Sequence, residues 1–202
     1  MMRRLAALFS CFLLTACFTG GKRGGDTAMA VYDLGPAETV RSPVPRPQPL
    51  ALEVRMPLWF DTQGINYRLA YAEPARLREY ARARWAGPPA QLIQQRLARD
   101  LGLVPAGQSR VACLLRLDID EFSQVFATPA SSRAVVQGRL QWLDRSRGRL
   151  VERPINIEMA AASHDSPGGV AALSAAVTEL TRQIQFWENE WLASGQLKSC
   201  QP

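Results

Sequence analysis

Three segments in the second half of the chain carry an apolar residue at every second position, and this alternation restricts the fold most strongly. A period of two places the apolar side chains on one face of a β-strand. The apolar positions are Val111, Cys113, Leu115, Leu117 and Ile119 in the first segment, Ala134, Val136, Gly138, Leu140 and Trp142 in the second, and Ile155, Ile157, Met159 and Ala161 in the third. The connections at residues 127–130 and 145–148 are short enough for hairpins. The segments therefore predict three neighbouring antiparallel strands with one buried face.

Further strands are predicted upstream of this group. Residues 50–56 and 65–71 alternate in the same way, and residues 29–35 are predicted to form a first strand that a glycine ends. Residues 80–85 are predicted to form only a short extended stretch. The four prolines within residues 42–49 exclude regular structure there, because proline donates no backbone hydrogen bond.

Two segments have helical periodicity. Pro88 and Pro89 suit the first turn of a helix that Gly102 ends, and a second helix begins after Pro167. The second helix has apolar residues spaced three and four apart at Val170, Leu173, Val177, Leu180, Ile184, Trp187 and Trp191. Such a stripe also fits a coiled coil, but beside a one-sided sheet it favours a helix packed on that sheet. The predicted fold is α/β of the α+β type, a single domain in which a mostly antiparallel sheet of about six or seven strands carries two helices on one face.

The N-terminus has the order of a secretory signal. Arg3 and Arg4 precede an apolar run over residues 5–14, and the Leu-Thr-Ala-Cys sequence at residues 14–17 resembles the lipobox of bacterial lipoproteins. We expect cleavage before Cys17 and lipid attachment to that cysteine. Phe18, in place of the aspartate that retains lipoproteins in the inner membrane, favours the outer membrane. The predicted organisation is a signal at 1–16, a lipidated glycine-rich tether at 17–28, a folded domain at 29–193 and a tail at 194–202.

Charge and cysteine content limit the classes of partner. Loss of the first 16 residues leaves 186 residues and lowers the formal charge from +6 to +4, spread along the chain rather than clustered. Nucleic acid is therefore a poor partner, and the excess charge fits a solvated surface better than a site for anionic lipids. Cys113 and Cys200 remain in an oxidising compartment, where they either form a disulfide that pins the tail or stay free.

The sequence offers little material for catalysis. The single histidine, His164, lies between Ser163 and Asp165, whereas a catalytic triad needs residues that converge from separate elements. Asp118 and Asp120, followed by an acidic residue at position 121, could hold a cation, but a charged solvent face of a strand explains them better. Residues 20–25 are glycine-rich yet lack the order of a phosphate-binding loop. We therefore predict no enzymatic activity, no catalytic residue, no metal site and no cofactor.

A series of short motifs resembles a known family. The motifs are Tyr-Asp-Leu-Gly at 32–35, Pro-Leu-Trp at 57–59, Ile-Asn-Tyr-Arg-Leu-Ala-Tyr at 65–71, Tyr-Ala-Arg-Ala-Arg-Trp-Ala at 80–86, Asp-Glu-Phe at 120–122 with Phe126, and the alanine-rich helix that ends in Phe-Trp at 186–187. In this order behind a lipobox, they resemble the ABC-type transport auxiliary lipoprotein family, which includes PqiC-like proteins. The resemblance covers about residues 30–192.

The resemblance implies a role without covalent chemistry. It implies a lipoprotein on the periplasmic face of the outer membrane, whose partner is an MCE-domain protein of an ABC system that moves phospholipid or other hydrophobic molecules. It leaves the cargo, the contact surface and self-association open, and the signature residues Tyr67, Tyr71, Tyr80 and Trp85 suit a core and a contact surface equally. A structural or assembly lipoprotein and a periplasmic hydrolase are the alternative interpretations.

Overall fold

The computed structural model describes residues 28–36, 48–107 and 111–201. Cys17, the predicted signal and all but the last residue of the predicted tether lie outside the described residues. Within these ranges the strands are β1 (Ala30–Tyr32), β2 (Leu50–Arg55), β3 (Gly64–Leu69), β4 (Glu73–Trp85), β5 (Val104–Pro105), β6 (Cys113–Thr128), β7 (Ser131–Asp144) and β8 (Arg149–Ala160). The helices are α1 (Pro89–Leu101) and α2 (Ser166–Ala193), with 3₁₀ turns at Leu58–Phe60 and Lys198–Cys200.

Strand β6 organises the sheet. Its partner on one edge is β7, which in turn pairs with β8, and both pairings are antiparallel as predicted. Along the other edge of β6 lie β2 and then β3, both parallel to it. Strand β4 pairs antiparallel with β3 and parallel with β1, and β5 is parallel to β2. The predicted α+β domain with two helices is confirmed. The described part of the sheet has eight strands and is mixed, because β2 and β3 run parallel to β6 whereas β7 runs antiparallel to it.

A β-bulge bends the long strand β6. The register with β7 shifts between Ile119 and Glu121, so that Asp120 has no partner residue opposite it. Gly138 of β7 lies opposite Ile119, and a Cβ at Gly138 would overlap the backbone carbonyl of Asp118. A glycine is therefore needed at this position, since a larger residue would have to displace the backbone of β6.

Both helices pack on one face of the sheet and share a single hydrophobic core with it. Helix α1 contributes Ile93, Leu97 and Leu101, and it ends at Gly102 in a left-handed conformation. Six of the seven predicted stripe positions of α2 are buried, and Trp187 packs partly buried against the same core. The helical periodicity therefore identified the buried face of α2 correctly.

Strand β4 is much longer than the short extended stretch predicted for residues 80–85. It covers 13 residues and begins before Pro74, which lies close to the start of the strand where a missing backbone donor is tolerated. Most residues in its first half are exposed and none is buried, so the apolar alternation that marks a half-buried strand is absent.

The C-terminal tail lies against the domain. Leu197 is buried in the main core, and Cys200 forms a disulfide with Cys113 at the start of β6, with the two Cα atoms 5.5 Å apart. The bond joins positions 87 residues apart in sequence. It ties the end of the chain to the central strand.

Candidate functional site

The Ser163–Asp165 segment caps helix α2. The Asp165 carboxylate accepts hydrogen bonds from the Ser163 hydroxyl (2.6 Å) and from the backbone N–H of Gly168 (3.0 Å). These donors, the Ser163 hydroxyl first, hold the pKa of Asp165 below its usual range. The carboxylate is thus used as an N-cap and does not orient the His164 ring. The three consecutive residues do not form a triad.

The structure does bring His164 close to another serine. Ser132 Oγ of β7 lies 3.3 Å from His164 Nδ1, and it accepts a hydrogen bond from Gln124 Nε2 at 2.8 Å. Gln124 Oε1 in turn accepts a hydrogen bond from the Tyr80 hydroxyl at 2.7 Å. Sequence reasoning missed this pair because 32 residues separate the serine from the histidine. We call Tyr80, Gln124, Ser132 and His164 the polar chain.

The polar chain fills the space between the sheet and the first turn of α2. Gln124 and Ser132 are buried, and a Cβ at Gly169 would overlap the Gln124 amide. Burial, followed by the proximity of Tyr67 and Asp165, raises the pKa of Tyr80, which therefore remains a hydrogen-bond donor at physiological pH. Each polar group in this chain has a partner, so the arrangement can position α2 on the sheet.

The acidic cluster around the bulge is paired with arginines. Asp118 lies 3.2 Å from Arg139, Glu121 lies 2.9 Å from Arg68, and Asp120 is exposed at the bulge. Asp118 and Asp120 are both more exposed than Leu117 and Ile119, which are buried, so the charged solvent face predicted for this segment is confirmed. Among the described residues there is no group of three or more histidine, cysteine or acidic side chains that could hold a metal ion.

A buried arginine lies beneath an open groove of about 580 Å³ between β1 and α2. The guanidinium of Arg96 donates to Asp100 (2.6 Å), to the backbone carbonyl of Leu34 (2.7 Å) and to the Thr178 hydroxyl (3.3 Å). Because its charge is neutralised by Asp100 and its donors are engaged, Arg96 holds three elements together and offers no site for an anion.

The aromatic signature residues divide between core and surface. Trp85 is buried, Tyr67 and Tyr80 are partly buried with ring centroids 4.7 Å apart, and Tyr71 is exposed. Trp191 packs edge-on against a core tryptophan and is buried, as the apolar stripe of α2 predicts. Near the end of α2 the exposed large apolar side chain is Phe186.

Two adjacent apolar side chains in the connection between β2 and β3 are strongly exposed. Leu58 is 83% exposed and Trp59 is 63% exposed, whereas the next residue, Phe60, is 1% exposed. The backbone N–H of Phe60 donates to Pro57 (2.9 Å) and that of Asp61 donates to Leu58 (3.1 Å). We call residues 57–60 the Leu-Trp turn. The two backbone hydrogen bonds and the buried Phe60 fix the turn so that the Leu58 and Trp59 side chains point into solvent.

No helix within the described ranges is long and apolar enough to cross a membrane. The candidate features of the described residues are a capped helix, the polar chain, paired surface charges and the exposed Leu-Trp turn. None of these features has the arrangement of side chains that a particular reaction requires.

Comparison with known proteins identifies the family. Crystal structures of a Xanthomonas campestris protein (TM-score 0.66, 22% identity, 84% of this chain and 99% of that one) and of an uncharacterized protein (TM-score 0.60, 17% identity, 78% and 96%) have the same fold. None of the curated proteins matches the chain. The model of the ABC-type transport auxiliary lipoprotein component matches residues 32–185, from the end of β1 into the last turns of α2. The chain therefore belongs to the ABC-type transport auxiliary lipoprotein family.

Proposed function

We propose that this protein is anchored by a lipid on Cys17 to the periplasmic face of the outer membrane. There it serves as the auxiliary component of an MCE-type ABC transport system that moves phospholipid or other hydrophobic molecules. The family match over residues 32–185 carries the proposal, since it covers almost the whole described domain. The Leu-Thr-Ala-Cys sequence at 14–17 and Phe18 support the anchor and its location.

The proposed role is docking to the MCE-domain protein without covalent chemistry. The donors of Arg96 are engaged, the Asp165 carboxylate caps a helix, and the acidic residues beside the bulge pair with arginines. These groups stabilise the domain, and none of them converges with an acid, a base and a nucleophile on an open cleft in the described residues.

The anchor is tested with Cys17→Ser. We expect this variant to lose labelling by a radioactive or alkyne-tagged fatty acid and to accumulate as an uncleaved or misplaced precursor. Unchanged labelling and unchanged fractionation with outer membranes would contradict the anchor.

The transport role is tested genetically. Deletion of this gene should weaken the outer-membrane barrier as much as deletion of the gene for the MCE partner, and the double deletion should add no further defect. Crosslinking of the lipidated protein in cells should recover the MCE-domain protein. An additive defect, together with recovery of only an assembly complex, would favour the structural lipoprotein instead.

A hydrolase is the second candidate, and the contact between Ser132 and His164 is the observation that favours it. His164→Ala and Ser132→Ala should both complement the deletion if the protein does no covalent chemistry. Loss of complementation by both variants, with folding and anchoring intact and with esterase activity in the wild type, would establish the hydrolase.

A further inference from the structure

The Leu-Trp turn exposes apolar surface that the fold itself does not require. Polar residues would suffice in a connection between two strands, whereas an exposed leucine beside an exposed tryptophan forms an apolar surface of the kind that contacts a membrane or another protein. The turn is also rigid, because Phe60 is buried and two backbone hydrogen bonds close the 3₁₀ turn. Leu58 and Trp59 are thus presented in a fixed direction.

The turn lies close to the end of β1, the first strand after the N-terminal segment. The carbonyl of Gln63, just after the turn, accepts the backbone N–H of Trp85 (2.7 Å), and the carbonyl of Tyr32 accepts that of Ala86 (2.6 Å). The end of the turn, the end of β4 and the end of β1 therefore meet. Cys17 precedes Ala28 by 11 residues, a length that spans at most about 40 Å when extended. A lipid on Cys17 can thus share one bilayer with the turn.

The chemistry around the turn suits a phospholipid surface. Tryptophan and leucine partition together into the interfacial region, where the indole N–H meets the headgroups. Arg84, which pairs with Gly64 in the strand ladder at the end of this connection, is exposed and makes no ion pair with any described residue. An arginine at this place is free to attract anionic headgroups.

We propose that Leu58 and Trp59 insert into the interfacial region of the membrane that carries the lipid anchor. This inference rests on the proposed lipidation of Cys17. The turn supplies a second contact, which sets the orientation of the sheet on the bilayer.

The tryptophans of the chain allow a direct test. The chain has five, of which Trp85, Trp142 and Trp191 are at most 3% exposed. Lipidated full-length protein, with the lipid verified by mass spectrometry, is reconstituted into phosphatidylethanolamine–phosphatidylglycerol vesicles with and without brominated acyl chains. Bromine quenches tryptophan only at short range. We expect the wild type to lose roughly one-fifth of its emission, the share of one tryptophan in five.

Two variants separate Trp59 from the other partly accessible tryptophan. Trp59→Phe should abolish the quenching, and the matched control Trp187→Phe should retain it. Equal quenching of the wild type and Trp59→Phe would overturn the inference. A photo-crosslinker at position 59 should link to phospholipid in cells; exclusive linkage to a protein would also overturn it. Absence of the lipid on Cys17 contradicts the proposed function, whereas missing quenching in lipidated protein contradicts the membrane contact alone.

Discussion

Replacement of Leu180 by alanine tests whether helix α2 is held by its apolar stripe. Leu180 has no exposed surface and belongs to the core that the helices and the sheet share. The substitution removes about three carbon groups, at about 0.8 kcal/mol each for transfer from water, and leaves a cavity. Because α2 is fixed to the sheet along its length, the cavity cannot collapse freely. We expect the free energy of unfolding to fall by about 3–5 kcal/mol.

The loss is measured by urea unfolding and by the thermal midpoint. For a domain of this size, a loss of about 3–5 kcal/mol lowers the midpoint by about 6–20 °C. Arg182 provides the control on the same helix, because its side chain is 66% exposed and pairs with Glu179 at the surface. Arg182→Ala should shift the midpoint far less than Leu180→Ala. Ile184→Ala, at the next position of the stripe, should behave like Leu180→Ala.

A similar shift in Leu180→Ala and Arg182→Ala would refute the reasoning, because it would mean that burial does not distinguish the two faces of the helix. An unchanged midpoint in Leu180→Ala would refute it as well. A change in the urea m-value would instead indicate a change in the surface exposed on unfolding.

Three other outcomes follow from particular contacts. Gly138→Ala should destabilise the domain by about 1–3 kcal/mol in urea unfolding, because the new Cβ would overlap the β6 backbone. The matched control Gly87→Ala should be tolerated, since a Cβ at Gly87 would meet only side chains at ordinary contact distance. Non-reducing mass spectrometry should detect the disulfide between Cys113 and Cys200. Cys200→Ser, or reduction of the bond, should lower the free energy of unfolding by about 4–5 kcal/mol. The hydrogen bond from Arg182 lowers the pKa of Glu179, so in acid the unfolded chain binds more protons than the folded one. The thermal midpoint should therefore stay level between about pH 7 and pH 5, and it should decrease when the pH is lowered past about 4.5.

The periodicity of the sequence predicts those elements whose burial is regular. Helix α2 and the first half of β6 follow their periods without interruption, so their buried faces could be read directly. After Ile119 the next core residue of β6 is Phe122, three positions on rather than two, because the bulge at Asp120 inserts one residue. A period-two pattern stops at that point, so the buried face of the second half of the strand could not be read from it.

The exposed turn shows a different limit. The sequence marks the turn as a motif, with Leu58, Trp59 and Phe60 in succession, but all three are apolar and only one is buried. Which residue points inward depends on the path of the chain between two strands, and composition does not contain that information. The contact of Ser132 with His164 was missed for a related reason, since it depends on the hairpin register and on where α2 begins.

The path of the chain between β2 and β3 follows from the sheet order, because both strands pair with the same edge of β6. Arg55 of β2 lies opposite Asp118, and Tyr67 of β3 lies opposite Gln124. Arg55 and Tyr67 are 12 residues apart in sequence, but the residues of β6 that face them are only six apart. About half of the chain between Arg55 and Tyr67 must therefore leave the sheet. Both ends of that excursion are fixed in hydrogen-bonded ladders, which explains why its tip is rigid. The proposed lipid on Cys17 would limit only the distance of the domain from the bilayer, whereas the proposed second contact through this tip would also fix which edge of the sheet faces the bilayer.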